Sequence, residues 1–256
     1  MNFPTSQMPQ PPSPDAMETT GPGLSEPSRL INTYVAPSKT FTDIRRNASW
    51  WVPFVIASIC AIAFFMTVGK KVGFEEVAQK MFANNNAVQQ LPEAQRDQII
   101  ARTASGFKVG TYIGPIFLLL YALIDAAILM ATFNFIMAAE VSFSRALAIV
   151  MYGWLPNVVS SILAIVTLFF GDPEGFRLDN PVGTNPAYYL DPTTTSKFVY
   201  SFLTSFDVFS LWCVILIGMG FALNSKKKIS VGSGIGAVAV WFFIYKLGAA
   251  ALAMLR

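Results

Sequence analysis

The chain has 256 residues, of which 54% are hydrophobic and only 13% charged, and its mean hydropathy is +0.50. A soluble domain carries about twice that share of charge, so the composition points to a membrane, and the net charge of +3 is too small for a nucleic-acid surface. There is no histidine, which removes Ser-His-Asp and Cys-His catalysis and imidazole metal sites. The two cysteines, Cys60 and Cys213, sit singly in apolar blocks and read as small buried hydrophobes, not as a disulfide or zinc framework.

Residues 1–38 are rich in Pro, Ser, Gly and Thr and are expected to form a disordered tail, because such a segment buries too little apolar surface to offset its ordering entropy. The tail lacks the basic and apolar regions of a secretory signal, so the first spanning helix acts as the insertion signal. Thr40 then reads as a helix cap. Residues 41–46 read as a short interfacial helix, with Phe41 and Ile44 facing lipid and Arg45 and Arg46 meeting headgroups. Trp50 and Trp51 follow where an aromatic belt belongs.

Five runs meet the requirement of roughly 20 apolar residues for a spanning helix: about 50–69, 111–138, 146–170, 199–223 and 231–254. The second is longer than needed and is expected to tilt or bend near Gly114-Pro115. Pro156 is expected to kink the third. Between the first two spans, Phe74, Val77, Ala78, Met81 and Phe82 fall at helical spacing, and a further helix is expected to start at Pro92. The loop at 171–198 is acidic and proline-rich, but its carboxylates match no EF-hand. The loop at 224–230 holds Lys226, Lys227 and Lys228. The Gly232–Gly236 stretch has no following Lys-Ser/Thr and reads as a close-packing helix start, with Gly232 and Gly236 admitting a neighbouring helix.

The positive-inside rule bears on orientation. With the N-terminus inside, the inner side receives Lys39, Arg45, Arg46, Arg145 and the three lysines at 226–228. The outer side receives Arg177, Lys197 and the long loop with Lys70, Lys71, Lys80, Arg96, Arg102 and Lys108. The long loop nearly balances the count, and the short loops favour an inner N-terminus and an outer C-terminus.

Three spans carry one charge each: Asp125, Asp207 and Lys246. A charge at the bilayer centre costs roughly 2.5–3.5 kcal/mol on insertion scales, so it is rarely idle. At ~1.5 Å rise per residue, Asp207 and Lys246 both lie roughly 12 Å from the outer ends of their helices, and Asp125 lies deeper, which makes Asp207–Lys246 the preferred pair. Asn157 shares a small and polar stripe with Gly153, Ser161 and Ala164, whereas Asn134 points away from Asp125. Asp125, Asp207, Lys246, Asn134 and Asn157 form the candidate intramembrane cluster. It reads either as interhelical glue or as a solvated path or binding site for an ion, proton or lipid headgroup. No nucleophile–base pair or metal constellation accompanies it, so no catalytic, cofactor-binding or metal-binding residue is assigned.

Several strings carry a resemblance: Lys39-Thr40-Phe41 to Asn47, Ser49-Trp50-Trp51-Val52-Pro53-Phe54, Ala131 to Phe135, Tyr152-Gly153-Trp154-Leu155-Pro156, Asp172 to Phe176, Asn180-Pro181-Val182-Gly183-Thr184-Asn185-Pro186 and Ser205 to Trp212. Together, over about residues 38–254, they resemble the bacterial branch of the Yip1 family. That resemblance implies a cytosolic N-terminal segment followed by five spanning helices, with no established catalytic residues. Eukaryotic members are linked to vesicle trafficking and small Rab-type GTPases; bacteria lack that pathway, so no GTPase partner is carried over.

The expectation is thus an all-α, polytopic bundle of five transmembrane helices with short interfacial helices, the tail at 1–38 and the membrane domain at 39–256. The expected setting is the bacterial inner membrane, with the N-terminus cytoplasmic and the C-terminus outside. The expected role is non-enzymatic membrane organisation or scaffolding. The alternative is a small transporter, channel or lipid-handling protein using the buried charges. Expected partners are the lipid bilayer, other membrane proteins or a homo-oligomer, with no nucleic acid and no cofactor.

Overall fold

The computed structural model describes residues 22–83, 85–171 and 175–254, and among them every regular element is helical. The chain opens with α1 (Glu26–Val35) and α2 (Pro37–Asp43), which fold against each other as a hairpin. Much of the stretch expected to be disordered is therefore ordered; residues 1–21 lie outside the described residues. Ser25 caps α1 by accepting from Ser28 N, and prolines stand in the first turns of both helices, where a missing N–H costs nothing. Docking supplies what short helices lack alone: Phe41 and Ile44, expected to face lipid, are 0% exposed in the main core. Thr40 is inside α2, where its hydroxyl donates to the Arg29 carbonyl (2.9 Å), and caps nothing. Arg45 donates to the Ser225 carbonyl (3.4 Å) instead of only meeting headgroups.

The first span is α3 (Trp51–Lys71). After it come α4 (Phe74–Phe82), a single turn α5 (Asn86–Gln89) and then α6 (Glu93–Met137). The helix expected to start at Pro92 and the second span are one helix, which runs through Pro115 uninterrupted. Its 45 residues extend about 67 Å, more than twice the ~30 Å hydrocarbon core. The apolar half begins near Thr111, so the first half projects from the bilayer. There α4 packs along α6, with Phe74 stacked on Phe107 at 6.0 Å, and Val68, Val72, Val77, Leu168 and Phe176 form a second small core.

The third run divides at Trp154 into α7 (Phe143–Gly153) and α8 (Leu155–Phe170). Pro156 has no N–H to continue the ladder, so its effect is a break just before it. The fourth run is broken more sharply. A short α9 (Lys197–Leu203) and a 3-10 turn (Thr204–Phe206) meet α10 (Val208–Asn224) at 54°. The last helix is α11 (Val231–Ala253). Four helical runs are long and apolar enough to cross a membrane, or five if the bent α9–α10 pair is one span. The protein is thus an all-α polytopic membrane bundle.

The main core fills the end of the bundle where α2, α6, α7 and α10 meet; Phe133 stacks on Phe221 at 4.4 Å, beside the fully buried Phe41, Ile149 and Tyr152. α10 is its hub, touching α2, α7, α8 and α11. Its closest approach, to α11, depends on Gly218 and Gly234. A Cβ on Gly218 would lie 2.4 Å from the Ile235 Cα, and one on Gly234 would lie 2.3 Å from the Gly218 carbonyl oxygen. Gly236 has nothing within 4 Å and Gly232 only the Ser230 hydroxyl at 4.0 Å, so the close contact expected at Gly232 and Gly236 is made instead by Gly234, on the opposite face of the helix. Gly234→Ala should lower stability by about 1–3 kcal/mol, since the obstacle is backbone that cannot rotate aside. Gly236→Ala should cost nothing; thermal unfolding of the purified protein in detergent compares the two.

Candidate functional site

The five polar residues singled out in the sequence do not converge. Asn134 grips a turn: its amide donates to the Val141 carbonyl (2.9 Å) and its carbonyl accepts from the Val141 N–H (2.8 Å). Asn157 is exposed on the bundle surface. Asp125 lies on the α6 face turned to α11. Along that face Tyr121 stacks on Trp154 at 5.2 Å, and the Trp241 indole donates to the Thr132 hydroxyl at 2.8 Å. The two helices touch little, and Asp125 sits in the seam without an ion pair or hydrogen bond among the described residues.

Asp207 and Lys246 were the preferred pair. No ion pair joins them among the described residues, and the Lys246 ammonium lies over the Phe242 ring at 5.5 Å. Asp207 is committed elsewhere. It is not a mid-helix residue but the N-cap of α10, with extended backbone, and one carboxylate oxygen accepts from the Phe209 and Ser210 N–H groups at 3.0 Å each. A carboxylate at a helix N-terminus answers both the orphan donors and the helix dipole. Its other oxygen accepts from the Thr184 hydroxyl, while the Val208 N–H donates to the Thr184 carbonyl at 3.1 Å.

Thr184 belongs to the Asn180–Pro186 loop, which Asp207 thereby straps over the break. Within it the Asn180 and Asn185 amides donate to each other (3.3 and 2.7 Å), and Asn180 also donates to the Tyr200 hydroxyl (3.2 Å). The Tyr200 ring faces the Arg177 guanidinium at 5.3 Å, and Arg177 pairs with Asp179 at 2.9 Å. Beyond a 3-10 turn (Pro186–Tyr189), the Thr193 hydroxyl and N–H hold the Asp191 carboxyl below the usual carboxylate range.

The opposite end holds a network the sequence reading missed. Arg29 is 1% exposed and pairs with the Asp43 carboxylate at 2.6 Å; Asp43 also accepts from the Leu24 N–H at 3.2 Å. Glu26 stands 3.6 Å from Arg29 and accepts from the Tyr152 hydroxyl at 2.6 Å. Burial works against the Arg29 charge, but the hydrogen bond that Arg29 donates to Asp43 holds its pKa above the ordinary value. Tyr34 donates to the Leu155 carbonyl (2.8 Å), Asn224 to the Phe41 carbonyl (2.8 Å) and Arg145 to the Arg45 carbonyl (3.1 Å). The Lys226 ammonium meets Glu140 at 2.8 Å and holds that exposed carboxyl below its usual range. The hairpin is therefore bolted to three chain segments at one end. The signal that marked it lay in Ser25-Glu26-Pro27, a cap residue before a proline in the first turn, with Arg29 three residues after Glu26.

A family model described as the Yip1 domain matches residues 31–249. No curated protein and no solved structure matches the chain. Arg29→Met should destabilise by about 3–5 kcal/mol, because it strands the Asp43 carboxylate in the core. The double variant Arg29→Met/Asp43→Leu should recover most of that loss, read as thermal unfolding in detergent.

Proposed function

We infer the role of this protein from the premise that the chain belongs to the Yip1 family. It is a non-enzymatic, five-span protein of a bacterial cytoplasmic membrane, and it organises that membrane or scaffolds other membrane proteins. The supporting observation is how the apolar side chains are distributed. The interior at the hairpin end is filled by large buried rings, while the membrane-facing sides of α3, α6 and α11 stay almost wholly uncovered: only 11% of the most apolar stretch of α11 is buried. A protein that spends its packing on a closed end and leaves long helix faces to the bilayer is suited to lateral contacts with lipids or neighbouring helices.

The N-terminus is placed in the cytoplasm. In favour of this, Lys39, Arg45, Arg46, Arg145 and Lys226–Lys228 gather at the hairpin end, brought there by the Arg45–Ser225, Arg145–Arg45 and Lys226–Glu140 contacts. Counting the bent α9–α10 pair as one span gives an odd number and puts the C-terminus outside.

A second reading, ion or lipid movement through the α6–α11 seam, is favoured by one observation: Asp125 makes no ion pair among the described residues. Liposomes holding the purified full chain decide between the two. The scaffold reading expects no ion or lipid flux above empty liposomes; flux that Asp125→Asn abolishes would replace it with the second. Orientation is checked separately in a background with Cys60 and Cys213 changed to Ser. Lys227→Cys should react with an impermeant thiol reagent only when the cytoplasmic side is open, and Tyr189→Cys only from the other side.

A further inference from the structure

The positive charge of the chain is concentrated at one end of the bundle. The hairpin and the loop after it (residues 22–50), the turn into α7 (138–146) and the turn from α10 to α11 (225–230) together carry eight lysines and arginines, against three carboxylates, Glu26, Asp43 and Glu140. The remaining residues beyond 50 carry ten of each sign, and residues 1–21 add only Asp15 and Glu18. Even with both of those set against this end, a surplus of three remains there, which is the whole net charge of +3.

The turn between α10 and α11 holds the accessible part of that surplus, and its backbone is fixed. The Lys226 N–H donates to the Ala139 carbonyl at 2.9 Å, the Ser225 hydroxyl to the Lys227 carbonyl at 2.6 Å, and Arg45 to the Ser225 carbonyl at 3.4 Å. Of its three exposed lysines only Lys226 meets a carboxylate among the described residues, Glu140 at 2.8 Å. Beside the turn, the half-buried Arg145 guanidinium donates to the Arg45 carbonyl at 3.1 Å, a neutral partner that leaves its charge unanswered, and no carboxylate pairs with it among the described residues. The turn joins the end of α10 at Asn224 to the start of α11 at Val231, so these cations lie at the depth of the headgroups. From there α11 offers an apolar track toward the bilayer centre: open space at Gly236, then the exposed Val240 and Ile244.

We propose that the α10–α11 turn, with Arg145 beside it, binds an anionic phospholipid, its phosphate among Arg145, Lys227 and Lys228 and its acyl chains along α11. A zwitterionic headgroup brings its own ammonium against the lysines and cancels most of the attraction. A free phosphate answers the charges but leaves the α11 track empty. The inference goes beyond the role proposed above and holds whichever side of the membrane this end faces, because the site is defined by the chain alone.

The test uses the purified, delipidated full chain and native mass spectrometry, with glycerol-headed and ethanolamine-headed phospholipids of identical acyl chains. The anionic glycerol-headed lipid should bind about tenfold more tightly, equivalent to about 1.4 kcal/mol. The double variant Lys227→Gln/Lys228→Gln should cut that preference to less than about threefold. Both lysines are exposed, so their loss leaves the fold intact. Lys70→Gln/Lys71→Gln removes the same charge at the far end of α3 and should leave the preference unchanged. Equal binding of the two lipids by the unaltered protein overturns the proposal. So does a preference that survives the change at 227 and 228, or one that falls as far with the change at 70 and 71. Soluble glycerol phosphate separates the sources: its failure to displace the lipid at tenfold molar excess supports a lipid site, and displacement overturns it in favour of a free phosphate.

Discussion

A guanidinium almost without solvent contact has to have its charge answered within hydrogen-bond distance, and in this protein that requirement organises one whole end of the bundle. Arg29 finds Asp43 at 2.6 Å and Glu26 at 3.6 Å. Those partners fix α1 against α2, and the hairpin in turn carries Phe41 and Ile44 into the core. Phe41 packs so closely on α10 that a Cβ at Gly220 would stand 2.8 Å from its ring. The Phe41 carbonyl then receives the Asn224 amide, and the Arg45 carbonyl receives Arg145. An ion pair this buried is not a net source of stability compared with an apolar replacement. Its effect is to leave the hairpin one arrangement, because any other strands a charge.

The spans were legible in the sequence because length and hydropathy alone define them, and α3 and α11 fall within a few residues of their expected bounds. The helix at 74–82 was legible from its spacing, and Val77 and Ala78 are its buried positions. The hairpin was not, because composition averages over a segment. The many prolines and serines at 1–38 imply disorder as a population, while two of those prolines and Ser25 occupy the positions that start helices. Only burial against α7 and α10 decides the matter, and that is a long-range fact. The candidate site was less legible still. Depth arithmetic assumes that each apolar run is one straight helix, and the fourth run breaks at its own charge. Asp207 therefore moved from mid-span to a helix cap, and the pair with Lys246 did not close.

The three intramembrane charges show three ways of meeting one cost. Asp207 is satisfied by backbone: two N–H groups and the dipole of α10 stand where water would be, and Thr184 supplies a hydroxyl from the loop above. Lys246 has an ammonium on a long stem and uses the Phe242 ring face. Asp125 has neither arrangement. Its helix continues through it, its stem is short, and its neighbours Tyr121 and Thr132 are engaged with Trp154 and Trp241.

The isolation of Asp125 follows from how the bundle closes. α10 and α11 approach until backbone meets backbone at Gly218 and Gly234, while α6 is tied to α10 by the Phe133–Phe221 stack and to the start of α7 by the Asn134–Val141 clasp. Both attachments hold α6 near its C-terminal end; beyond them α6 and α11 touch little, as where the Trp241 indole meets Thr132, and a seam remains. A carboxylate in such a seam cannot be justified by packing, since a leucine would fill the space at lower cost. Of the three intramembrane charges it is therefore the one that the fold does least to explain. That is why the second functional reading is tested at Asp125 and not at Asp207, where the fold itself supplies the reason.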